Sequence, residues 1–192
     1  MINATMSQPS VVLSEIALIL SCVWGANKAY PSLFARLGFM TVGTAALAGA
    51  FRFAGVKDAV AVHNFIVPIA KSFGAPLILL SAALTNEHFS LTMGVLFGVF
   101  VLALVGKQSL KHKTPYADIG VGIAGLYALF EASMTVATYG TSEWPALVGM
   151  LLFFIGAAFG GKGKTGPMKN VDLLHYFLAA SNVCIAIGAK QR

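Results

Sequence analysis

Seven runs of mostly apolar residues, at roughly 10–27, 32–55, 58–84, 89–106, 115–139, 145–161 and 170–189, occupy nearly the whole chain. A helix needs about 20 such residues to cross the hydrocarbon layer of a bilayer, and each run is of that order. Composition agrees, because 57% of the residues are hydrophobic and only 10% are charged. An ordinary soluble domain carries about a quarter charged residues. Only helices and closed barrels satisfy their backbone in lipid, and continuous runs of this length read as helices. The expectation is an all-α polytopic membrane protein, a single transmembrane domain over residues 1–192 with seven helices.

Basic residues collect in cytoplasmic loops. The loops after runs two, four and six carry Arg52, Lys57, Lys107, Lys111, Lys113, Lys162, Lys164 and Lys169, while the other side has Lys28, Arg36, Lys190 and Arg192. This bias predicts a cytoplasmic N-terminus and an external C-terminus. The net charge of +6 then reflects topology and attraction to anionic headgroups, and no nucleic-acid partner is expected. Met1 to Pro9 has neither a positive charge nor a cleavage pattern, so the first run is expected to stay as a span. Cys22 and Cys184 lie in apolar runs without metal-ligand spacing and read as small hydrophobes.

One pattern occurs twice. Glu15, Trp24-Gly25, Pro31-Ser32-Leu33, Val42-Gly43-Thr44-Ala45, Lys57, His63 and Phe65 are matched by Glu131, Tyr139-Gly140, Pro145-Ala146-Leu147, Ile155-Gly156-Ala157-Ala158, Lys169, His175 and Phe177. The repeats would cover about 10–84 and 115–189, with 89–106 as a linker helix. An even number of crossings separates the copies, which makes the repeat parallel, a 3+1+3 plan with a site expected at the repeat interface. Small residues in run two (Gly43, Ala46, Gly49, Ala50) and run five (Gly120, Gly122, Gly125) suit close helix approach. Tyr30-Pro31, Thr114-Pro115 and Trp144-Pro145 read as helix starts.

Ionisable groups inside spans are costly and therefore candidates for function. Glu15, Lys71 and Glu131 are the deepest in their runs, and a Lys–Glu pair among them can also be purely structural. Run three is broken by Pro68 and Pro76, which free the Asn64 and Ser72 carbonyls. Asn64 and Lys71 fall on one helical face and are expected to line a polar cavity. His63 and His175, with Asp118 and Asp172 at the same level, form a gate, a proton relay or a metal site. The segment from Ala158 to Thr165 nearly spells a phosphate-binding loop but has Ala158 where glycine is required, and it reads as a flexible basic loop.

The seven-span order with a histidine early in the last span resembles the progestin and adiponectin receptor proteins, which are similar to alkaline ceramidases. That resemblance implies a metal-dependent hydrolase site, although this chain has Asp172-Leu173-Leu174-His175 where those proteins carry paired histidines. The 3+1+3 plan resembles the sugar-transporting SWEET proteins, but the Pro-Gln dipeptide of their relatives is missing and the expected orientation is opposite. No residue is carried over from either family.

The leading expectation leans to a carrier or channel-like protein over an enzyme, with Glu15, Asn64, Lys71 and Glu131 as its substrate or ion site and His63, His175, Asp118 and Asp172 at the gate. It needs no cofactor, and its partners are the lipid bilayer and a small solute, ion or lipid. The alternatives are an intramembrane lipid hydrolase holding a transition metal and an accessory subunit of a membrane complex. Self-association or a membrane partner is compatible with all three.

Overall fold

A computed structural model describes residues 8–28, 32–81, 94–95, 98, 116–140 and 144–190. Their architecture is helical: α1 (Pro9–Lys28), α2 (Leu33–Phe53), α3 (Ala59–Ser81), α4 (Tyr116–Tyr139), α5 (Trp144–Phe159) and α6 (Asn170–Lys190). Five of these are long and apolar enough to cross a membrane, and α5 is a shorter apolar helix. The chain thus has the make-up of a helical membrane protein. Six of the seven expected runs appear as helices with ends close to those expected. The seventh, 89–106, falls outside the described residues except for Gly94, Val95 and Gly98, which are helical.

Large apolar side chains point outward as well as inward. Leu13, Leu20, Phe65, Leu126 and Phe130 are each at least 60% exposed, a waste of hydrophobic surface in water but a normal face toward lipid. The interior is built from small residues. Ala35, Ala128, Ala132, Ala146 and Ala186 are buried around Phe39, Leu79, Met150 and Ile185. A Cβ placed on Gly38 would meet the Gly74 carbonyl and the Ile78 nitrogen at 2.9 Å, and one on Gly149 would meet Ile185 N at 2.9 Å and Ser181 O at 3.0 Å. These glycines let α2 approach α3, and α5 approach α6, to backbone contact.

The packing order closes a ring. α1 lies against α2 and α6, α2 against α3, the second half of α3 against α4, α4 against α5, and α5 against α6. α1 and α6 run in the same direction, since Gln8 meets Lys169, Ser14 meets His175, and Ser21 meets Asn182 along their seam. At the starting end of this pair, the Gln8 amide donates to the Phe53 carbonyl at 2.8 Å. Arg52, Lys57, Lys162, Lys164 and Lys169 therefore share one end of the bundle.

Two local features differ from the expectation. The two prolines of α3 bracket a five-residue π-helical turn, Ala70–Gly74. Pro76 has no amide to give the Ser72 carbonyl, and a wider turn absorbs the missing bond without ending the helix. The basic loop after α5 is ordered into a small antiparallel hairpin, pairing Lys164 with Lys169 and Thr165 with Met168. Asn170 organises it, donating through Nδ2 to the carbonyls of Phe159 (3.1 Å) and Lys162 (2.9 Å) while its Oδ1 accepts from Thr165 (2.8 Å). Gly163 and Gly166, at φ +92° and +61°, supply the left-handed backbone this compact turn needs.

Candidate functional site

The ring surrounds a cavity of about 680 Å³ to which all six helices contribute. Its wall is mostly apolar, with Leu18, Val42, Phe153, Phe154 and Leu178 among the lining side chains. Set into that wall are Glu15 from α1, His63 and Lys71 from α3, and His175 and Asn182 from α6. Toward the basic end it reaches Phe53 and Gly160-Gly161.

α3 lines the cavity through His63, Val67, Lys71, Ala75 and Ile78, steps of three or four residues that keep one helical face on the space. Lys71 sits inside the π-helical turn.

Glu15 is the most constrained polar group. It is 3% exposed, and its carboxylate packs against the Cα of Gly49, where a Cβ would overlap it. His175 Nδ1 lies 3.8 Å from Glu15 Oε2, beyond hydrogen-bonding distance. Among the described residues no hydrogen bond reaches this carboxylate. His175 Nδ1 is instead 3.1 Å from Ser14 Oγ, which stands 3.3 Å from Asp172 Oδ1 and 2.9 Å from the Val11 carbonyl. Ser14 and Asp172 are both buried. A serine has one proton to give, so the Val11 carbonyl and Asp172 Oδ1 compete for it, while the tautomer of His175 decides whether Nδ1 accepts from Ser14 or donates to it.

His63 is held differently. The Arg52 guanidinium lies 2.8 Å from His63 Nδ1 and 3.0 Å from Asn64 Oδ1, and arginine only donates. Nδ1 therefore accepts, which places the proton of a neutral ring on Nε2. Phe53 meets the same ring edge-on at 5.8 Å between centroids. Arg52 also draws Asn64 to the α2–α3 seam, so Asn64 does not join Lys71 in the cavity wall as expected.

Glu131 is buried at 4% exposure on α4 but is not among the lining residues. Asp118 belongs to α4, and its side chain lies outside the described residues. Among the described residues no three His, Cys, Asp or Glu side chains converge where a metal ion could be held. No protein-family model, curated protein or solved structure matches this chain.

The structure therefore joins Glu15, Lys71, His63 and His175 around one space, and places Asp172 behind His175. It adds Ser14, Asn182 and Arg52, which the sequence reading passed over. Asn182 Nδ2 donates to Ser21 Oγ and Cys22 Sγ, each at 3.3 Å, deep in the α1–α6 seam. Polar residues inside apolar runs are the usual glue between helices in lipid, and that signal was present in the sequence at Ser14, Ser21, Ser181 and Asn182.

Proposed function

We propose that the chain is a multi-pass membrane carrier whose solute occupies the central cavity, with Glu15 and His175 taking and releasing the coupling proton. The observation that carries this reading is a buried carboxylate without a hydrogen bond, facing a mostly apolar space beside an imidazole. A wall built only for packing would have no reason to keep such a group, because an unpaired charge in hydrocarbon is expensive. Groups of this kind are how a carrier makes its conformational equilibrium depend on proton and solute together.

The carrier consists of two three-helix units, α1–α3 and α4–α6, in a parallel arrangement. Two facts support the division. Val67, Lys71, Ala75 and Ile78 of α3 and Leu174, Leu178, Asn182 and Ile185 of α6 line the cavity at one constant offset. The Gly38 contact with Gly74 and Ile78 recurs at that same offset in the third helix as Gly149 against Ser181 and Ile185. In this register His175 is the counterpart of Pro68 and not of His63, so the matched Glu and His pairs read from the sequence are not the structural equivalents. Rocking of one unit against the other would expose the cavity alternately to the two sides.

The test is solute-dependent proton movement in proteoliposomes with an imposed pH gradient. Wild-type protein is expected to dissipate the gradient when its solute is present, and Glu15→Gln and Lys71→Ala are expected to slow this by at least about tenfold. Equal specific flux in both variants and wild type would overturn the assignment of the site.

A further inference from the structure

Resting on the carrier reading, we infer that the solute is a lipophilic organic monocation, exchanged for one proton at Glu15. Among the described residues that line the cavity, Glu15 supplies the one carboxylate, with His175 Nδ1 3.8 Å from it. It is nearly fully buried, faces the space, and receives no hydrogen bond among the described residues. A cationic head placed beside it would supply the missing charge. The rest of the wall suits an apolar body, with Phe153 and Phe154 among its side chains. Space of about 680 Å³ lies in the range that encloses a drug-sized ligand.

Other charged groups near Glu15 limit the ligand further. On α6, His175 and Asp172 stand next to it through Ser14. On α2, Arg52 is engaged by His63 and Asn64. From α3, Lys71 reaches the same wall. At 1.5 Å per residue Glu15 lies about 9 Å, and Lys71 about 18 Å, along helices that begin at the same end. A single positive head fits beside Glu15 at the shallower level, whereas a second one on an extended ligand would approach Lys71 and be repelled.

Charge is conserved in the exchange. The neutral carboxyl loses its proton as the cation enters; His175 Nδ1, 3.8 Å away, takes it when side-chain motion closes that gap, and Ser14 and Asp172 lie beyond it on the way to the basic end of the bundle. The carboxylate left behind pairs with the entering cation. The Glu15 site thus holds either a proton or the cation.

The experiment uses the purified full-length protein in detergent, with tetraphenylphosphonium as the permanently charged probe and triphenylphosphine oxide as a neutral one. Calorimetry would follow binding, and a pH indicator in weak buffer would follow proton release. Wild-type protein is expected to bind the cation and release about one proton per cation bound. Glu15→Gln is expected to weaken cation binding by about 30-fold or more, the scale found on truncating one partner of a buried charge pair, and to abolish proton release. Glu15→Asp keeps the charge and should retain proton release, which separates loss of the carboxylate from loss of the fold. Cation binding that is equal in wild type and Glu15→Gln, or that releases no proton, would overturn the inference. Binding of the neutral probe alone would do the same while leaving the solute cavity standing. Failure of every probe, together with no gradient dissipation in proteoliposomes, would remove the carrier reading itself.

Discussion

Gly149→Ala should destabilise the bundle far more than Gly122→Ala, although both put one methyl group on a helix that borders the cavity. At Gly149 the added carbon would stand 2.7 Å from Ile185 Cγ1, 2.9 Å from Ile185 N and 3.0 Å from Ser181 O. Two of those atoms belong to backbone, so α5 and α6 must separate. Overpacking of this kind costs about 1–3 kcal/mol. Separation also stretches the bond that Ser181 Oγ donates to the Gly149 carbonyl at 2.7 Å, and interhelical hydrogen bonds in a membrane protein average about 0.6 kcal/mol. Together, and less the helix-propensity gain of up to about 1 kcal/mol that any helical glycine makes on becoming alanine, the net loss comes to roughly 1–3 kcal/mol. At Gly122 nothing lies within 4 Å of the new carbon, and replacing a helical glycine by alanine is worth up to about 1 kcal/mol in favour of the helix. Reversible unfolding in mixed micelles, followed by fluorescence of Trp24 and Trp144, measures both. If Gly149→Ala unfolds within about 0.5 kcal/mol of wild type, the margin for an ordinary surface change, α5 and α6 are not in backbone contact.

Asn170→Ala removes three side-chain hydrogen bonds from the hairpin, each worth about 1 kcal/mol net; faster amide exchange across Lys162–Lys169 with unchanged exchange in α1 is the expected result, and uniform exchange would refute it. In a chain otherwise stripped of cysteine, single cysteines at Gln8 and Lys164 should label from the same side of a sealed vesicle, because both positions lie at one end of the bundle; labelling from opposite sides would contradict the helix directions. Cys22, at 2% exposure, should react with a membrane-permeant maleimide more slowly than Cys184, which is partly exposed, and equal rates would argue against the α1–α2 packing.

Helix positions were legible in the sequence because length and apolarity set them almost alone. Proline placement helped as well, since Trp144-Pro145 opens α5 where a helix start was expected. Helix neighbours were harder to read. Which of His63 and Asn64 faces the cavity depends on Arg52, a residue eleven positions earlier whose guanidinium reaches both, and no periodicity within α3 contains that fact. The approach of His175 to Glu15 joins α6 to α1, whereas a repeat matched on rare residue types sets Glu15 against Glu131. Glu131 lies fifteen residues into α4 while Glu15 lies six residues into α1, so the two carboxylates matched in the sequence stand at unequal distances along their helices.

Closure of the ring also dictates an order of assembly. Ser14, Glu15 and Ser21 are synthesised with α1, yet His175, Asp172 and Asn182 follow only with α6. Until then the polar seam of α1 lacks its α6 partners. A chain that lacks α6 therefore leaves Ser14 and Glu15 without the His175 and Asp172 side chains that stand beside them. The ring thus closes only when α6 docks onto α1.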